Sequence, residues 1–276
     1  MYKLLFSVFL LGAVIPCFAQ QIHTVSNNPK IPAQFTSLPE AVDAAAPGDI
    51  LYIHPGDLPY DGADSLVLNK PLQFYGGDFK NRPQEFAGLS TRLNNLVLTP
   101  AASGSVVAGI KLERVHIRQG ESSQPVNNIT LAYNSIERVD FYNSENFTSD
   151  SLVIRNNIIR LVFFNEWYTT GPDAEISFEN NVIGQVAEGG GTGVVIRNNL
   201  FAPSLYATSA LENISDAVIA NNLFWGDSLH YSMGTGTLNS CILDHNLAFR
   251  TTDGFAGGID NSFGNANQRT LASDAV

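Results

Sequence analysis

The stretch "LVIRNNIIRLVFF", residues 152–164, places two asparagines in the middle of an apolar segment of strand-like composition. Asparagine is depleted in β-strands, so the pair Asn156-Asn157 requires an explanation. The same arrangement recurs downstream, in "ISFENNVI" around Asn181 and in "VVIRNNLF" around Asn199. The pair is therefore part of a sequence repeat.

Six copies of this repeat align on the second residue of the pair. The shared asparagines are Asn134, Asn157, Asn181, Asn199, Asn222 and Asn246, separated by 23, 24, 18, 23 and 24 residues. Self-similarity at a nearly constant period of this length is typical of a solenoid, in which each copy forms one coil.

Each copy has the alternation of a β-strand. The third and fifth residues before the shared asparagine are apolar, as with Ile154 and Leu152 before Asn157, and a second short apolar run follows it. Positions of period two indicate a strand with one buried face. No copy has helical periodicity. Coils of 18 to 24 residues made of two or three short strands predict a parallel β-helix.

A β-helix explains the asparagines. Asparagine tolerates left-handed backbone, which suits the tight bend between two strands. Bends of successive coils stack about 4.8 Å apart, so amide side chains can hydrogen-bond along the stack. We expect the six shared asparagines to form such a ladder and to have a structural role. Two residues before the shared asparagine, Arg155, Glu179 and Arg197 alternate in sign, which predicts ion pairing at the surface.

The beginning of the chain is typical of a secretory signal peptide, residues 1–20. A single lysine precedes an apolar core over residues 4–15, which is too short to span a bilayer, and Ala19 offers a small residue for cleavage. A lipoprotein with lipidated Cys17 is the weaker alternative, because Pro16 stands where a small residue is expected. We therefore expect a secreted or cell-surface protein without a transmembrane segment.

The bulk composition excludes some classes of function. The chain has 276 residues, 44% of them hydrophobic and 15% charged, which is typical of a globular protein. Its formal net charge of −11 argues against a nucleic-acid partner, which would require a basic surface. An acidic surface is compatible with bound Ca²⁺, although solubility is the simpler explanation, and no other cofactor is expected. After the signal peptide only Cys241 remains, and we expect it to be a buried free thiol.

We predict one domain over residues 21–276. Its first part, residues 21–126, contains a short helix capped by Thr36 or Ser37 and ended near residues 47–49, followed by irregular first coils. The helix is placed to cap the open end of the solenoid. Residues 78–95 are expected to form a projecting loop. The six asparagine coils occupy residues 127–261, and residues 262–276 form a tail.

The segment "FTSLPEAVDAAAPGDILYIHPG", followed by "NKPLQFYGG" and then by the asparagine-rich coils, resembles the pectate-lyase-like superfamily. More narrowly, it is similar to the secreted β-helix repeat proteins of Bacteroidetes-type bacteria. The resemblance covers almost the whole chain after residue 20. It implies an all-β fold, a right-handed parallel β-helix with an N-terminal capping helix. Members of the superfamily include pectate lyases, polygalacturonases and epimerases, but also phage tailspikes and adhesins without known catalysis.

The catalytic motifs of that superfamily are not found in this sequence. Its lyases use Arg or Lys together with Ca²⁺ on clustered acids, whereas the lysines here lie outside the six regular coils, and no acidic cluster is expected to stack with Arg160. The Asn-Thr-Asp, Asp-Asp, Gly-His-Gly and Arg-Ile-Lys motifs of polygalacturonases are absent. A different hydrolase would need two carboxylates about 5–10 Å apart. We expect no column with two adjacent exposed acids, and therefore predict no catalytic residue.

A ligand site is expected where coil length changes. The coil between Asn181 and Asn199 is short and lies between two coils with longer loops, which predicts a notch. The side chains expected to bind a ligand there are Glu166, Trp167, Tyr168, Asp173, Glu188 and Tyr206, with Trp225 on the next ridge beside Asp227, His230 and Tyr231. Exposed aromatics beside polar groups suit sugar stacking and hydroxyl recognition. The alternative is that these aromatics pack loops onto the solenoid.

Three functions remain open from the sequence. The first is a secreted or surface scaffold that binds a polysaccharide or mediates adhesion without catalysis. The second is a polysaccharide lyase or glycoside hydrolase with a non-standard site, for which Arg160, Glu166 and Asp173 would be the residues to mutate. The third is a structural spacer joined to further domains of a longer surface protein. The fold alone does not decide among them.

Overall fold

The structure, a computed structural model, describes residues 20–56, 58–60, 65–77, 89–118, 124–142, 149–164, 175–187, 194–202, 209–225, 232–239, 241–249, 252–255 and 269–271. The predicted signal peptide therefore lies outside the described residues, apart from Gln20. Within these ranges the chain is almost entirely β-strand, with one short α-helix, α1 (Leu38–Ala44), and one 3-10 turn at Pro100–Ala102.

The strands form two sheets. In pairing order, the first sheet contains β1 (Ile22–Val25), β2 (Ile50–Ile53), β4 (Gln73–Gly76), β6 (Val106–Ala108), β8 (Thr130–Ala132), β10 (Leu152–Arg155), β12 (Ile176–Glu179), β14 (Val194–Arg197), β17 (Val218–Ala220) and β20 (Ile242–Asp244).

The second sheet has a main path of ten strands and a short branch. The main path contains β3 (Leu66–Leu68), β5 (Arg92–Leu98), β7 (Lys111–Arg118), β9 (Ser135–Tyr142), β11 (Ile158–Phe164), β13 (Val182–Ala187), β15 (Leu200–Phe201), β18 (Leu223–Trp225), β21 (Leu247–Phe249) and β23 (Arg269–Leu271). The branch leaves β13 and contains β16 (Ser209–Ser215), β19 (Ser232–Asn239) and β22 (Thr252–Phe255).

The chain alternates between the two sheets, and its strand pairs are parallel. Leu152 of β10 aligns with Ile176 of β12, which aligns with Val194 of β14, so equivalent residues of successive coils stack in columns. This register is that of a solenoid, and the predicted right-handed parallel β-helix is confirmed. Within the part of the chain that the structure describes, no helix is both long and apolar enough to cross a membrane.

The predicted asparagine ladder is confirmed, and the two positions of each pair have separate roles. The first position adopts left-handed backbone, with φ between 48° and 57°, at Tyr133, Asn156, Asn180, Asn198, Asn221 and His245. The second position points into the core. There the Asn134 backbone N–H donates to Oδ1 of Asn157 at 2.8 Å, and the contact repeats down to Asn246. The ladder ends one coil earlier in the chain, where the Ile110 N–H donates to Asn134 Oδ1.

The N-terminal helix begins as the sequence predicts. Ser37 is the N-cap, and its hydroxyl accepts a hydrogen bond from the Glu40 N–H at 3.5 Å. Leu38, Ala41 and Val42 are buried and join the hydrophobic core of the coils. A cap of this kind satisfies one of the free donors of the first turn.

The core between the sheets is filled by stacked side chains. Phe141 and Phe164, on β9 and β11, stack with ring centroids 4.3 Å apart, and Phe201 and Phe224 stack at 4.8 Å. Cys241 is a buried free thiol, as expected; its sulfur lies 3.6 Å from the Ile214 carbonyl oxygen, and burial raises its pKa. The Phe141–Phe164 and Phe201–Phe224 pairs are cross-strand contacts of the kind that stabilise neighbouring strands.

One local prediction is wrong. Residues 92–95, expected within a loop, belong to β5, which pairs with β7 in regular register. The reason is a bend in the strand: Leu93 and Leu96 are both buried, and the two residues between them both point outward. Two successive outward residues interrupt the alternation of buried and exposed residues, so the sequence pattern does not indicate a strand here. The same doubled outward step recurs in β7, β9 and β11, where it positions the site described next.

Candidate functional site

The notch predicted from the sequence cannot be compared with this structure. Glu166, Trp167, Tyr168, Asp173, Glu188 and Tyr206 lie outside the described residues, as do Asp227, His230 and Tyr231 on the next ridge. Trp225 is described: it ends β18 and is 45% exposed. His245 is the left-handed residue before Asn246 and is exposed.

A different cluster stands out on the outer face of the second sheet. It comes from a short repeat, "LERVHIR" at residues 112–118 and "IERVDFY" at residues 136–142, on the paired strands β7 and β9. The doubled outward step brings Glu113-Arg114 and Glu137-Arg138 to equivalent places on successive coils. Leu112 aligns with Ile136 and Arg114 with Arg138, so the two glutamates occupy one column.

Asp140 lies at the centre of this cluster. Its side chain is 1% exposed although it belongs to the outer face of β9. Oδ1 pairs with Nε of Arg138, while Oδ2 lies 3.6 Å from Arg114 Nε and 3.7 Å from His116 Nδ1. Oδ2 accepts no hydrogen bond from any residue that the structure describes. A buried carboxylate is thus surrounded by two guanidinium groups and an imidazole.

His116 is neutral at pH 7 in this environment. Burial lowers the pKa of its imidazole; the Asp140 carboxylate raises it, and the guanidinium groups of Arg114, Arg138 and Arg118 lower it again, so that the pKa falls below its ordinary value. The ring also lies beside Tyr142, with centroids 5.2 Å apart.

The next coil completes the cluster. Phe163 of β11 aligns with Asp140, and the guanidinium carbon of Arg138 lies 4.6 Å from the centroid of the Phe163 ring, a cation–π distance. Arg160, at the outward step of the same strand, pairs with Glu137. Arginine, aromatic and acidic groups therefore interleave across three successive coils.

We call this surface the basic face and define it by the charged and aromatic outward residues of β7, β9 and β11; the outward Ser135, Ile158 and Leu161 are not counted in it. The residues of the basic face are Lys111, Glu113, Arg114, His116, Arg118, Glu137, Arg138, Asp140, Tyr142, Arg160 and Phe163. Five of its residues are Lys or Arg and three are Asp or Glu, a formal charge of 5 − 3 = +2 in a chain whose net charge is −11. Positive charge is thus locally concentrated on an acidic protein.

One expectation from the sequence is wrong here. Glu113 and Glu137 are exposed and occupy neighbouring positions in one column, although no such pair of acids was expected. Glu137 also pairs with Arg160. The cause of the error is the doubled outward step, which strict alternation of buried and exposed residues does not predict. The repeat of "ERV" at an interval of 24 residues was the signal that could have revealed it.

One column of the second sheet connects the basic face to Trp225, although Gly184 within it is buried. The column that contains Glu137 and Arg160 continues through Gly184 and Ala202, as shown by the pairs Ile159↔Ile183 and Ile183↔Phe201 and by the hydrogen bond from Ala202 N–H to the Ile183 carbonyl. Phe201 aligns with Phe224, so Trp225 follows Ala202 in this column. Two small residues therefore separate the Arg160 position from the exposed indole.

The described side chains of this face do not suit a bound metal ion. Across the described ranges, no three or more His, Cys, Asp and Glu residues come together in a way that could hold an ion. Asp140 has guanidinium groups where a cation would need further carboxylates.

Comparisons with known proteins add little to this geometry. No family model matches the chain, and no curated protein matches it. Among solved structures, DFA-IIIase from Arthrobacter chlorophenolicus A6 in complex with GF2 is 16% identical, with a TM-score of 0.38 over 76% of this chain. The same enzyme in complex with DFA-III is 15% identical, with a TM-score of 0.40 over 84% of this chain and 68% of its own. The chain spans 62% of the length of the first of these structures, and such values carry no argument about activity.

Proposed function

We propose that this protein is a secreted or cell-surface β-helix that binds an acidic polysaccharide on the basic face without catalysing its cleavage. The observation that supports this proposal is the concentration of guanidinium and aromatic groups over three successive coils of an otherwise acidic chain. Guanidinium groups bind carboxylate and sulfate in a bidentate manner, and aromatic faces stack on sugar rings.

The ligand that best suits this surface is a linear polymer lying across the coils. Equivalent positions recur about every 4.8 Å along the solenoid, so a chain parallel to its axis meets the same kind of position repeatedly. Arg160, Gly184, Ala202 and Trp225 form one such track. A polymer along this track would contact Arg160 at one end and stack on Trp225 at the other; of the two small residues between them, Gly184 is buried and Ala202 is half-buried.

A second function, glycoside hydrolysis, has one observation in its favour. Glu113 and Glu137 stand on neighbouring strands, about 4.8 Å apart along the solenoid, and retaining glycosidases use carboxylates about 5–5.5 Å apart. However, one of the two must act as a general acid, which usually requires an apolar, desolvated setting. The Glu137 side chain is 54% exposed and pairs with Arg160. The geometry therefore favours binding over hydrolysis.

The test is a binding and turnover measurement on the same samples. The purified protein is run in affinity gels that contain polygalacturonate, alginate or a neutral glucan, and the release of reducing ends and of unsaturated uronates is followed in solution. We expect retardation by the acidic polymers, loss of that retardation at high salt, and no product. If product forms and is lost in Glu113→Gln, the proposed function becomes hydrolysis. If the protein shows no retardation and forms no product, the structural spacer becomes the better hypothesis.

A further inference from the structure

We infer that Asp140 is the positioning residue of the basic face, which fixes the guanidinium groups of Arg114 and Arg138 so that together they receive one oxyanion of the ligand. That oxyanion is a carboxylate or a sulfate, since both present the same pair of oxygens to a guanidinium fork. This inference rests on the proposed function and specifies which residues of the face determine affinity.

The two arginines require such a device because of their register. Arg114 and Arg138 are directly aligned on the neighbouring strands β7 and β9. Like charges opposite each other on adjacent strands repel, and two long side chains would otherwise diverge into solvent. Asp140 lies two residues beyond Arg138 on the same face of β9, which lets its carboxylate approach both guanidinium groups.

The contacts of Asp140 leave the outer ends of both arginines available to a ligand. The carboxylate approaches Nε in each case, pairing with Arg138 and lying 3.6 Å from Arg114. Arginine has five N–H donors, and neither arginine donates a hydrogen bond from its terminal Nη groups to another described residue. The two side chains remain 45% and 27% exposed, respectively. Phe163 adds a further constraint, because its ring lies against the Arg138 guanidinium.

Asp140 differs from an ordinary surface ion pair. The Glu179–Arg197 pair, at 2.7 Å, involves partly exposed side chains on both sides, as does the pair between Glu137 and Arg160. Asp140 is almost completely buried, yet its Oδ2 has no hydrogen-bond partner among the described residues. Buried carboxylates are normally hydrogen-bonded, so this arrangement is costly unless the surrounding cations compensate for it. A single carboxylate thus holds a cluster of cations close together on a face that is open to an anion.

The inference can be separated from simple electrostatics by two substitutions that change charge equally. Asp140→Asn and Glu179→Gln each remove one negative charge that pairs with an arginine, and Glu179 lies on the first sheet, away from the basic face. If only net charge mattered, both would strengthen the binding of a polyanion. If Asp140 positions the arginines, Asp140→Asn weakens binding by roughly tenfold, the effect of one hydrogen bond to a charged group, while Glu179→Gln leaves binding unchanged or tighter.

The measurement is isothermal titration calorimetry with polygalacturonate and, separately, with a sulfated dextran, after circular dichroism has shown that each variant keeps its β-sheet signal. Equal or tighter binding by Asp140→Asn would overturn the inference. If that variant does not fold, Arg138→Lys serves instead, because it retains the charge and removes the fork, and wild-type affinity in Arg138→Lys would equally overturn it. Wild-type protein that binds neither polymer would refute the proposed function itself, whereas binding that Asp140→Asn strengthens would refute only the positioning role.

Discussion

Oδ1 of Asn181 accepts two hydrogen bonds from Asn157, one from the backbone N–H at 2.9 Å and one from Nδ2 at 3.1 Å. The Asn181 amide in turn donates to the Ile154 carbonyl at 2.8 Å and to Oδ1 of Asn199 at 3.0 Å. Because both neighbouring asparagines are buried, each side chain satisfies polar groups that water cannot reach.

We predict that Asn181→Ala destabilises the protein severely, whereas Asn180→Gly does not. The alanine leaves buried donors of Asn157 and the Ile154 carbonyl without partners, and each unsatisfied group costs about 1–3 kcal/mol, so a loss of roughly 3 kcal/mol or more is expected. Asn180 has φ of 55° and serves the bend through its backbone, which glycine adopts without strain. Urea unfolding followed by circular dichroism gives both free energies of unfolding.

The contrast between the two neighbours is the informative result. If Asn180→Gly lost as much stability as Asn181→Ala, the separate roles of bend and ladder would be refuted. A small loss in both would mean that water replaces the ladder contacts.

Asp49 gives the second prediction, which concerns acid stability. Its carboxylate is buried and accepts hydrogen bonds from the Gln21 and Ala46 N–H groups at 2.9 and 2.8 Å, with His23 Nε2 at 3.0 Å. Burial raises the pKa of this carboxyl, but the hydrogen bonds from Gln21, His23 and Ala46 outweigh it, so that the pKa lies below its ordinary value of 3.8. The ionised carboxylate therefore stabilises the fold in full above pH 3.8, and this contribution is lost as the pH falls through the lower, folded-state value.

We expect Asp49→Asn to lower the free energy of unfolding at pH 7 by about 1–3 kcal/mol, because the amide cannot accept both backbone hydrogen bonds and the His23 contact. The difference from wild type should shrink below pH 3.8, where the wild-type carboxylate itself becomes protonated. Urea titrations at a series of pH values test this, with the exposed Asp43→Asn as the matched control. A difference that stayed constant down to pH 2 would contradict the assigned role.

The ladder could be predicted from the sequence because it obeys a simple rule at every coil. Each shared asparagine follows two apolar residues at fixed spacing, and the bend admits few residue types. The columns of stacked residues can therefore be aligned from the sequence alone. Tyr133 and His245 occupy the left-handed position without being asparagine, and only the flanking pattern reveals their place.

The basic face could not be predicted by the same rule. Its strands contain two outward residues in succession, Glu113-Arg114 and Glu137-Arg138, which shifts the alternation by one residue halfway along. A strict alternation of buried and exposed residues then assigns the residues after the step to the wrong face of the sheet. The burial of Asp140 also depends on arginines 2 and 26 residues away in sequence, a relation that only the coil register establishes.

The third prediction concerns the length of the ligand. From the strand of Arg160 to that of Trp225 there are three steps between neighbouring strands, β11 to β13, β15 and β18, or about 14 Å along the solenoid. A polymer that uses both ends of the track must be at least that long. Oligosaccharides shorter than this can contact the arginines or the indole, but not both.

We therefore expect Trp225→Ala to weaken the binding of long polygalacturonate fragments about three- to tenfold, the contribution of one aromatic stacking contact, and to leave fragments shorter than about 14 Å unaffected. Calorimetric titration with size-fractionated oligomers measures this dependence. Tyr52→Ala is the control, since Tyr52 is similarly exposed, at 41%, but lies on the first sheet away from the track. A loss that is independent of fragment length would mean that the indole and the arginines do not share one bound chain, and a loss in Tyr52→Ala equal to that in Trp225→Ala would place the aromatic contact elsewhere on the solenoid.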